Sequence, residues 1–428
     1  MQQFVTLDRE NENSLSPILK VVGVGGGGCN ALDYMIKKGL KGVEYVSVNT
    51  DAQALDLSSA HQKVQIGLNL TKGLGAGADP ETGKKALEED REKIKKVVEG
   101  ANMVFIAAGM GGGTGTGAAP LIASIARSLG ILVVGIVTKP FKWEGKKRMM
   151  NAEKGINELS QHVDSMIVIP NNRLINLIEK GTTAKDAFEK PNEVLYQATR
   201  GIADIITMTG IINVDFADVK SVMANGGAAL MGIGTADGEQ RAVQAAENSI
   251  SSPLLEGLDI RGAKKLLLNV TSSSSLTMEE IELGNEVIYK AAGDDADIIF
   301  GWVCKDEMNE SVSYTVIATG FSSQKELTPS VVSNTVVTPK IIETPEVKIN
   351  YGNAYKIEKS EERVPVIPTN SEDLKVPAFF RNRGQEPLKA SGYKPEMNYT
   401  EETNIQEEHS FHFEDQEEDR TFLKRMMD

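Results

Sequence analysis

The chain has 428 residues, 60 acidic and 46 basic, and a formal net charge of -14. At roughly 150 residues per domain this length predicts two or three domains. The acid excess argues against a general binder of nucleic acid or anionic membrane, since both repel negative charge. Cys29 and Cys304 are the two cysteines, which excludes a disulfide framework and fits a reducing compartment. The first residues carry no basic-then-apolar signal pattern. Apolar runs such as residues 131–137 fall short of the roughly 20 residues a membrane helix needs, so a cytoplasmic chain is expected. Glycine is the unusual count, at 40 residues, and its placement decides the reading.

In chain order, residues 18–180 alternate strand and helix. Short β-branched runs predict strands at 18–24, 43–49, 103–107, 132–138 and 165–169. Helices are predicted at 30–38, 82–99, 118–129, 148–161 and 172–178. Continuous apolar strands fit a sheet buried on both faces, and the alternation predicts a parallel sheet flanked by helices. Next comes a periodic stretch at 193–208. Val194, Leu195, Ala198, Ile202, Ile205 and Ile206 recur at helical spacing, which predicts a helix bridging two domains. Residues 211–320 read as a second, smaller α/β unit. Its strands fall at 228–235, 265–270, 297–302 and 312–319, with helices at 240–249 and 278–292.

Composition changes after Phe321. Residues 322–428 hold 8 of the 15 prolines, 3 of the 40 glycines and a net charge of -6, leaving -8 for the preceding chain. Such a segment cannot bury enough apolar surface to offset its ordering entropy, so a mostly disordered tail with short motifs is expected. The first dozen residues look similarly loose.

Two glycine loops carry the chemistry. The first runs from Gly23 to Asn30, leaves a predicted strand and opens a helix. It contains G-x-G-x-x-G at Gly23, Gly25 and Gly28, and the acidic Asp51 follows the next strand. This is the context of a dinucleotide fingerprint. Glycines let backbone N–H groups approach a phosphate, and the helix N-terminus adds partial positive charge. Taken alone, this loop also fits an NAD-dependent oxidoreductase. The second loop, from Gly109 to Gly117, likewise joins a strand to a helix. Two such units in one sheet suggest one polyphosphate gripped from both sides. The hydroxyls of Thr114 and Thr116 can bond phosphate oxygens or a metal-bound water. Neither loop contains lysine, so this is not a Walker-type loop, and neutralisation must come from backbone dipoles, a metal ion or a distant arginine.

The segment GGGTGTG at 111–117 resembles the signature of the tubulin/FtsZ superfamily of GTPases. Further segments resemble its bacterial FtsZ family. They are VGVGGGGCNA at 22–31, VNTDAQAL at 48–55, GLGAGADPE at 73–81, PFKWEGKKR at 140–148, IPNNRL at 169–174 and NVDFADVK at 213–220. The resemblance runs in order from about Leu19 to Phe321. It implies an α/β fold: a Rossmann-like parallel-sheet GTPase domain, a long central helix, a smaller α/β C-terminal domain and a disordered tail. The expected divisions are a flexible 1–14, a GTP-binding domain at 15–187, the central helix at 188–210, an activation domain at 211–321 and a tail at 322–428.

The resemblance also implies site residues. Gly26, Gly27, Gly28, Cys29 and Asn30, with Gly113, Thr114 and Gly115, would hold GTP or GDP phosphates. Asn49, Asp51, Ala76 and Gly77 would lie beside the β- and γ-phosphates and Mg2+. No protein ligand set for that metal is legible; phosphates and water would hold most of it. Glu144 and Arg148 would meet the ribose and phosphate region, while Asn171, Phe188 and Asn192 would bind or stack on guanine. By residue type alone, Phe188 is also a core aromatic, Arg148 a solvated helix charge and Asn171 a helix cap. The thiol of Cys29 is either lowered in pKa by a helix start or simply a small residue tolerated there.

Asp215 and Asp218, three apart, would share one face of a helix start, and two acids there also suit the helix dipole. The resemblance implies catalysis in trans. These two aspartates, supported by Asn213, would enter the nucleotide pocket of the next subunit in a head-to-tail homopolymer and polarise the attacking water. In the tail, LKVPAFFRNR, from Leu374 to Arg383, is apolar and basic within acid. It resembles the family's peptide for membrane tethers and division regulators, so membrane contact would be indirect and nucleic acid no direct partner. The implied function is a self-assembling GTPase of the midcell division ring. A non-division filament GTPase is the alternative.

Overall fold

The computed structural model describes residues 16–175, 181–208, 210–252, 255, 260–293 and 295–321. The expected loose N-terminus, the tail and the peptide at 374–383 lie outside the described residues. Ten strands form one sheet. Six are parallel: β1 (Leu19–Val24), β2 (Val43–Asn49), β3 (Gln62–Gln65), β4 (Met103–Gly109), β5 (Leu132–Lys139) and β6 (Ser165–Pro170). Their order is β3-β2-β1-β4-β5-β6. The sheet then continues through β7 (Gly227–Ala236), which joins β6 in parallel by the pairs Ser165 with Gly227, Met166 with Ala228 and Ile167 with Ala229. Beyond it, β8 (Lys265–Ser272) and β9 (Asp297–Cys304) are parallel to each other, while β10 (Val312–Thr319) runs antiparallel between β7 and β8. The second unit of the sequence is therefore mixed, and its strands extend the first sheet.

Twelve helices surround the described strands. They are α1 (Gly25–Lys37), α2 (Ala52–Asp56), α3 (Leu68–Thr71), α4 (Pro80–Glu89), α5 (Arg91–Val98) and α6 (Thr114–Ser128). There follow α7 (Lys146–Ser160), α8 (Asn171–Leu174), α9 (Ala184–Thr207), α10 (Phe216–Met223), α11 (Arg241–Ile250) and α12 (Met278–Ala292). Every residue of β1 is buried, because successive side chains alternate between two covered faces. Leu19 and Val21 pack with α1 and α9; Val22 and Val24 pack with α4, α5, α6 and α7. A third core lies under α11 and α12, around Leu266, Leu268 and Tyr314.

Several boundaries differ from the sequence expectation. The predicted helix at 82–99 is two helices, because Asp90 leaves helical geometry (φ -112, ψ 23). Its carboxylate accepts the Gly67 N–H at 2.8 Å and pairs with Lys93 Nζ at 2.7 Å. The predicted helix at 193–208 starts at Ala184, capped by the Thr183 hydroxyl, and runs through Pro191. The helix expected at 172–178 is α8, and residues 176–180 lie outside the described residues. The polar strand β3 and the short helices α2 and α3 were not among the predicted elements, while α10 fits the helix start expected at Asp215 and Asp218. Among the described residues no helix is long and apolar enough to cross a membrane.

Candidate functional site

In a parallel sheet, ligands bind beyond the carboxyl ends of strands where the strand order reverses. That point here lies between β1 and β4, and each of these strands runs into a glycine loop. The two loops touch at backbone level. Gly25 adopts φ +70, and a Cβ on it would sit 2.7 Å from the backbone nitrogen of Gly115. A Cβ on Gly113 would meet the Ala76 side chain at 2.7 Å, which brings the 73–79 loop against the second cradle. Both α1 and α6 begin here, so their first N–H groups lack intrahelical partners and make each helix start electropositive.

A cleft opens at this junction. Of the expected residues, Gly26, Gly27, Gly115, Glu144, Arg148, Asn171 and Asn192 line it. Val24, Gly25, Gly109 and Met110, which belong to the two glycine loops, also line it, while Thr138, Pro140, Pro191 and Leu195 line it and were missed by sequence reasoning. Thr138 and Pro140 were legible in principle, as the carboxyl end of a strand next to a switch point. Pro191 and Leu195 had only their nearness to Asn192 to mark them.

Gly28, Cys29, Asn30, Asn49, Asp51, Ala76, Gly77, Gly113, Thr114 and Phe188 do not line the cleft itself. Cys29 is fully buried, with Sγ 3.9 Å from the Gly23 carbonyl, so its thiol packs beneath the loop. Asp51 caps α2 by accepting the Ala54 N–H at 3.0 Å. The Thr50 and Thr114 hydroxyls share a 2.6 Å hydrogen bond that ties the β2 loop to the second cradle. Thr116 Oγ1 accepts the Gly111 N–H at 2.8 Å and shapes that loop from inside.

One buried polar atom in the cleft wall, on Asn171, points to a ligand, and two more lie near the glycine loops. Asn30 Nδ2, Asn49 Nδ2 and Asn171 Oδ1 are buried with no hydrogen-bond partner in the protein. Orphan groups of this kind each cost on the order of 1–3 kcal/mol, which a bound molecule can recover. At the rim, Glu144 Oε1 accepts the Phe141 N–H at 2.7 Å while its Oε2 lies 3.0 Å from Arg148 Nε. The half-buried Phe188 sits edge-on to Phe141 and Trp143, one helical turn before Asn192 and on the same face of α9. Among the described residues no group of three or more His, Cys, Asp or Glu is placed to hold a metal ion.

Asn213, Asp215 and Asp218 lie elsewhere. From Asn192, α9 runs about 22 Å further at 1.5 Å per residue. Its last residue, Thr207, packs on Gly42 just before β2, at the amino edge of the sheet. Met223, at the end of α10, accepts the Ser165 hydroxyl at the start of β6, on the same edge. Between these anchors Asp215 caps α10, taking the Asp218 N–H at 2.8 Å. Asn213 Oδ1 accepts the Gly210 N–H at 2.7 Å and so holds the loop.

Residues 18–179 match the model of the Tubulin/FtsZ family, GTPase domain, and residues 227–322 that of the FtsZ family, C-terminal domain. A cell division protein FtsZ of Buchnera aphidicola subsp. Schizaphis graminum is 47% identical over 384 residues, covering 87% of this chain and 98% of the relative. The chain belongs to the FtsZ family. A second FtsZ relative, from Wigglesworthia glossinidia brevipalpis, is 45% identical over 371 residues, 86% of this chain and 97% of its own. An empty FtsZ dimer from M. jannaschii matches with a TM-score of 0.69 at 41% identity, over 76% of this chain and 95% of that one. Most of the cleft lining falls within the chain's Tubulin/FtsZ GTPase domain, and that family implies binding of a guanine nucleotide. An oxidoreductase reading of the first glycine loop is set aside.

Proposed function

We propose that this FtsZ chain is a cytoplasmic division GTPase that binds GTP in the cleft, assembles head to tail and hydrolyses GTP at each junction. Backbone N–H groups of Gly26, Gly27 and Gly115 take phosphate oxygens at the starts of α1 and α6. Asn171 and Asn192 read the edge of the base, with Phe188 beside it. Glu144 and Arg148, already paired to each other, face the ribose and phosphates. The orphan Oδ1 of Asn171 in the cleft wall fits a polar ligand with donors on its edge. Bound with the nucleotide, Mg2+ would neutralise phosphate charge, held mainly by phosphate and water oxygens and flanked by Asn49 and Asp51.

One observation carries the assembly reading: the cleft meets α9 at Pro191, Asn192 and Leu195, while the Asp215–Asp218 pair lies past the far end of that helix, about 22 Å further along it. A single chain cannot bring those carboxylates to its own nucleotide without unfolding that helix. A neighbour stacked head to tail can supply them. Asp215 and Asp218 of that neighbour would orient and polarise the attacking water, with Asn213 holding their loop. A relative of 41% identity solved as a dimer supports self-association. The peptide from Leu374 to Arg383 would bind membrane tethers and regulators at the midcell ring, so membrane contact is indirect.

The test is sedimentation with GTP against GDP, with phosphate release measured in parallel over a range of protein concentrations. Activity per molecule should rise above a threshold and track the pelleted fraction. Specific activity independent of concentration would sink the trans mechanism.

A further inference from the structure

At the outer end of the cleft, one large aromatic side chain is exposed. Trp143 is 65% exposed, whereas Phe141, stacked parallel to it at 5.4 Å and 13°, is 3% exposed. Phe188 stands perpendicular to both, with ring centroids at 5.7 Å and 5.5 Å. Trp143 sits in a 3-10 turn, Lys142–Glu144, whose last residue lines the cleft. That turn is fastened by Glu144, which accepts the Phe141 N–H and pairs with Arg148. The indole is therefore held at the cleft mouth by the residues facing the ribose and phosphates. Phe188 of α9 is in edge contact with that indole, and Asn171, 4% exposed and with its Oδ1 unpartnered, lines the cleft wall.

A buried amide oxygen asks for a donor, and a neighbouring exposed indole asks for a flat apolar cover. A guanine base supplies both: ring and amino N–H donors on its edge, and a π-face for stacking. We infer that Trp143 positions the guanine base, its indole closing over the base beside Phe188 to complete an aromatic wall. Stacking of a base on an aromatic side chain is worth on the order of 1–3 kcal/mol, and indole has the largest face. This inference rests on the reading of the cleft as the GTP site.

The chain has two tryptophans. Trp302 is 7% exposed, with Nε1–H donating to Ser272 Oγ at 2.9 Å, so its emission serves as a background. The experiment titrates full-length protein with GDP and follows tryptophan emission and affinity in wild type, Trp143→Phe and Trp143→Ala. Wild-type emission should move to shorter wavelength on GDP binding, and Trp143→Phe should lose that shift. Trp143→Ala should weaken GDP by about tenfold, while Trp143→Phe, with a ring still present, should stay within about threefold. GDP bound with no change in wild-type emission would overturn the inference. So would Trp143→Ala binding as tightly as wild type, or Trp143→Phe binding as weakly as Trp143→Ala. A wild-type protein that binds no guanine nucleotide would overturn the function reading as well, which separates the two failures.

Discussion

Lys305 Nζ lies 2.6 Å from Asp204 Oδ2, so the chain just after β9 is pinned to the central helix α9. Asp204 also takes Arg200 Nε at 3.1 Å, and the side chains of Asp204 and Lys305 are 10% and 13% exposed. Asp204→Ala strands the mostly buried Lys305, while the more exposed Arg200 keeps the Tyr196 hydroxyl, and should cost about 3 kcal/mol. Lys305→Met leaves Asp204 with Arg200 and should cost less, about 1 kcal/mol. Urea unfolding of both variants checks the order. Equal losses would mean that Arg200 compensates nothing.

Gly25→Ala places a Cβ 2.7 Å from the Gly115 nitrogen at a residue with φ +70. Left-handed geometry alone costs a non-glycine residue roughly 1–2 kcal/mol, and the collision adds to it. Stability should fall by about 2 kcal/mol or more, and GDP binding should be lost through misalignment of both phosphate loops. Calorimetric titration with GDP on the folded fraction measures this.

Asp215 has a structural duty as well as the proposed chemical one, and two substitutions part them. Asparagine keeps the cap on the Asp218 N–H and drops the charge; alanine drops both. Asp215→Asn should hold stability within a few tenths of a kcal/mol, and Asp215→Ala should lose about 1 kcal/mol. Both should bind GTP and sediment with it, and both should lose hydrolysis at least about a hundredfold. Hydrolysis retained by Asp215→Asn would reduce this residue to a helix cap.

How far the sequence was legible depends on the range of the forces involved. The strands of the nucleotide half were clear because both faces are buried, giving unbroken β-branched runs. The break at Asp90 was hidden because it is made by Gly67, far away in sequence, whose N–H claims the carboxylate. The early start of α9 was hidden by Pro191, which reads as a breaker; tertiary packing of Val194 and Leu195 overrides it. Within the site, glycine spacing marked the phosphate loops directly. Thr138 and Pro140 join the cleft only through the neighbouring strands, a fact of topology that local pattern does not carry.

Glu280 makes stability depend on acid. Arg241 donates to it at 2.8 Å, and the Thr277 N–H adds a second bond, so its carboxyl is held below the usual carboxylate range. A depressed value means that the stabilisation is complete above the unfolded-state value of roughly 4.3 and fades as pH falls through the folded one. Glu280→Gln should therefore lower the melting temperature at pH 7 and narrow the gap to wild type as pH approaches 3. Thermal scans across that window check the sign. A gap that widens in acid would contradict it.

Tyr314 presents the opposite case. Its hydroxyl is buried against Gly284 with no hydrogen-bond partner, and burial pushes its pKa up. Removing that oxygen removes an unsatisfied group and loses no bond, so Tyr314→Phe should stabilise the fold by about 1 kcal/mol. A higher urea midpoint at unchanged slope is the expected result, and a lower midpoint would refute it.

The sheet crosses from its nucleotide half to its other half by three paired positions between β6 and β7, its shortest ladder among the described strands. The apolar stripe of α9 adds to the attachment, with Leu195, Ile202 and Ile205 sharing one core with Met231, Leu267 and Ile317. Hydrophobic attraction fades on cooling. With so short a ladder to back its apolar contacts, the joint between the halves should loosen on chilling before the β8–β9 ladder, which has eight paired positions.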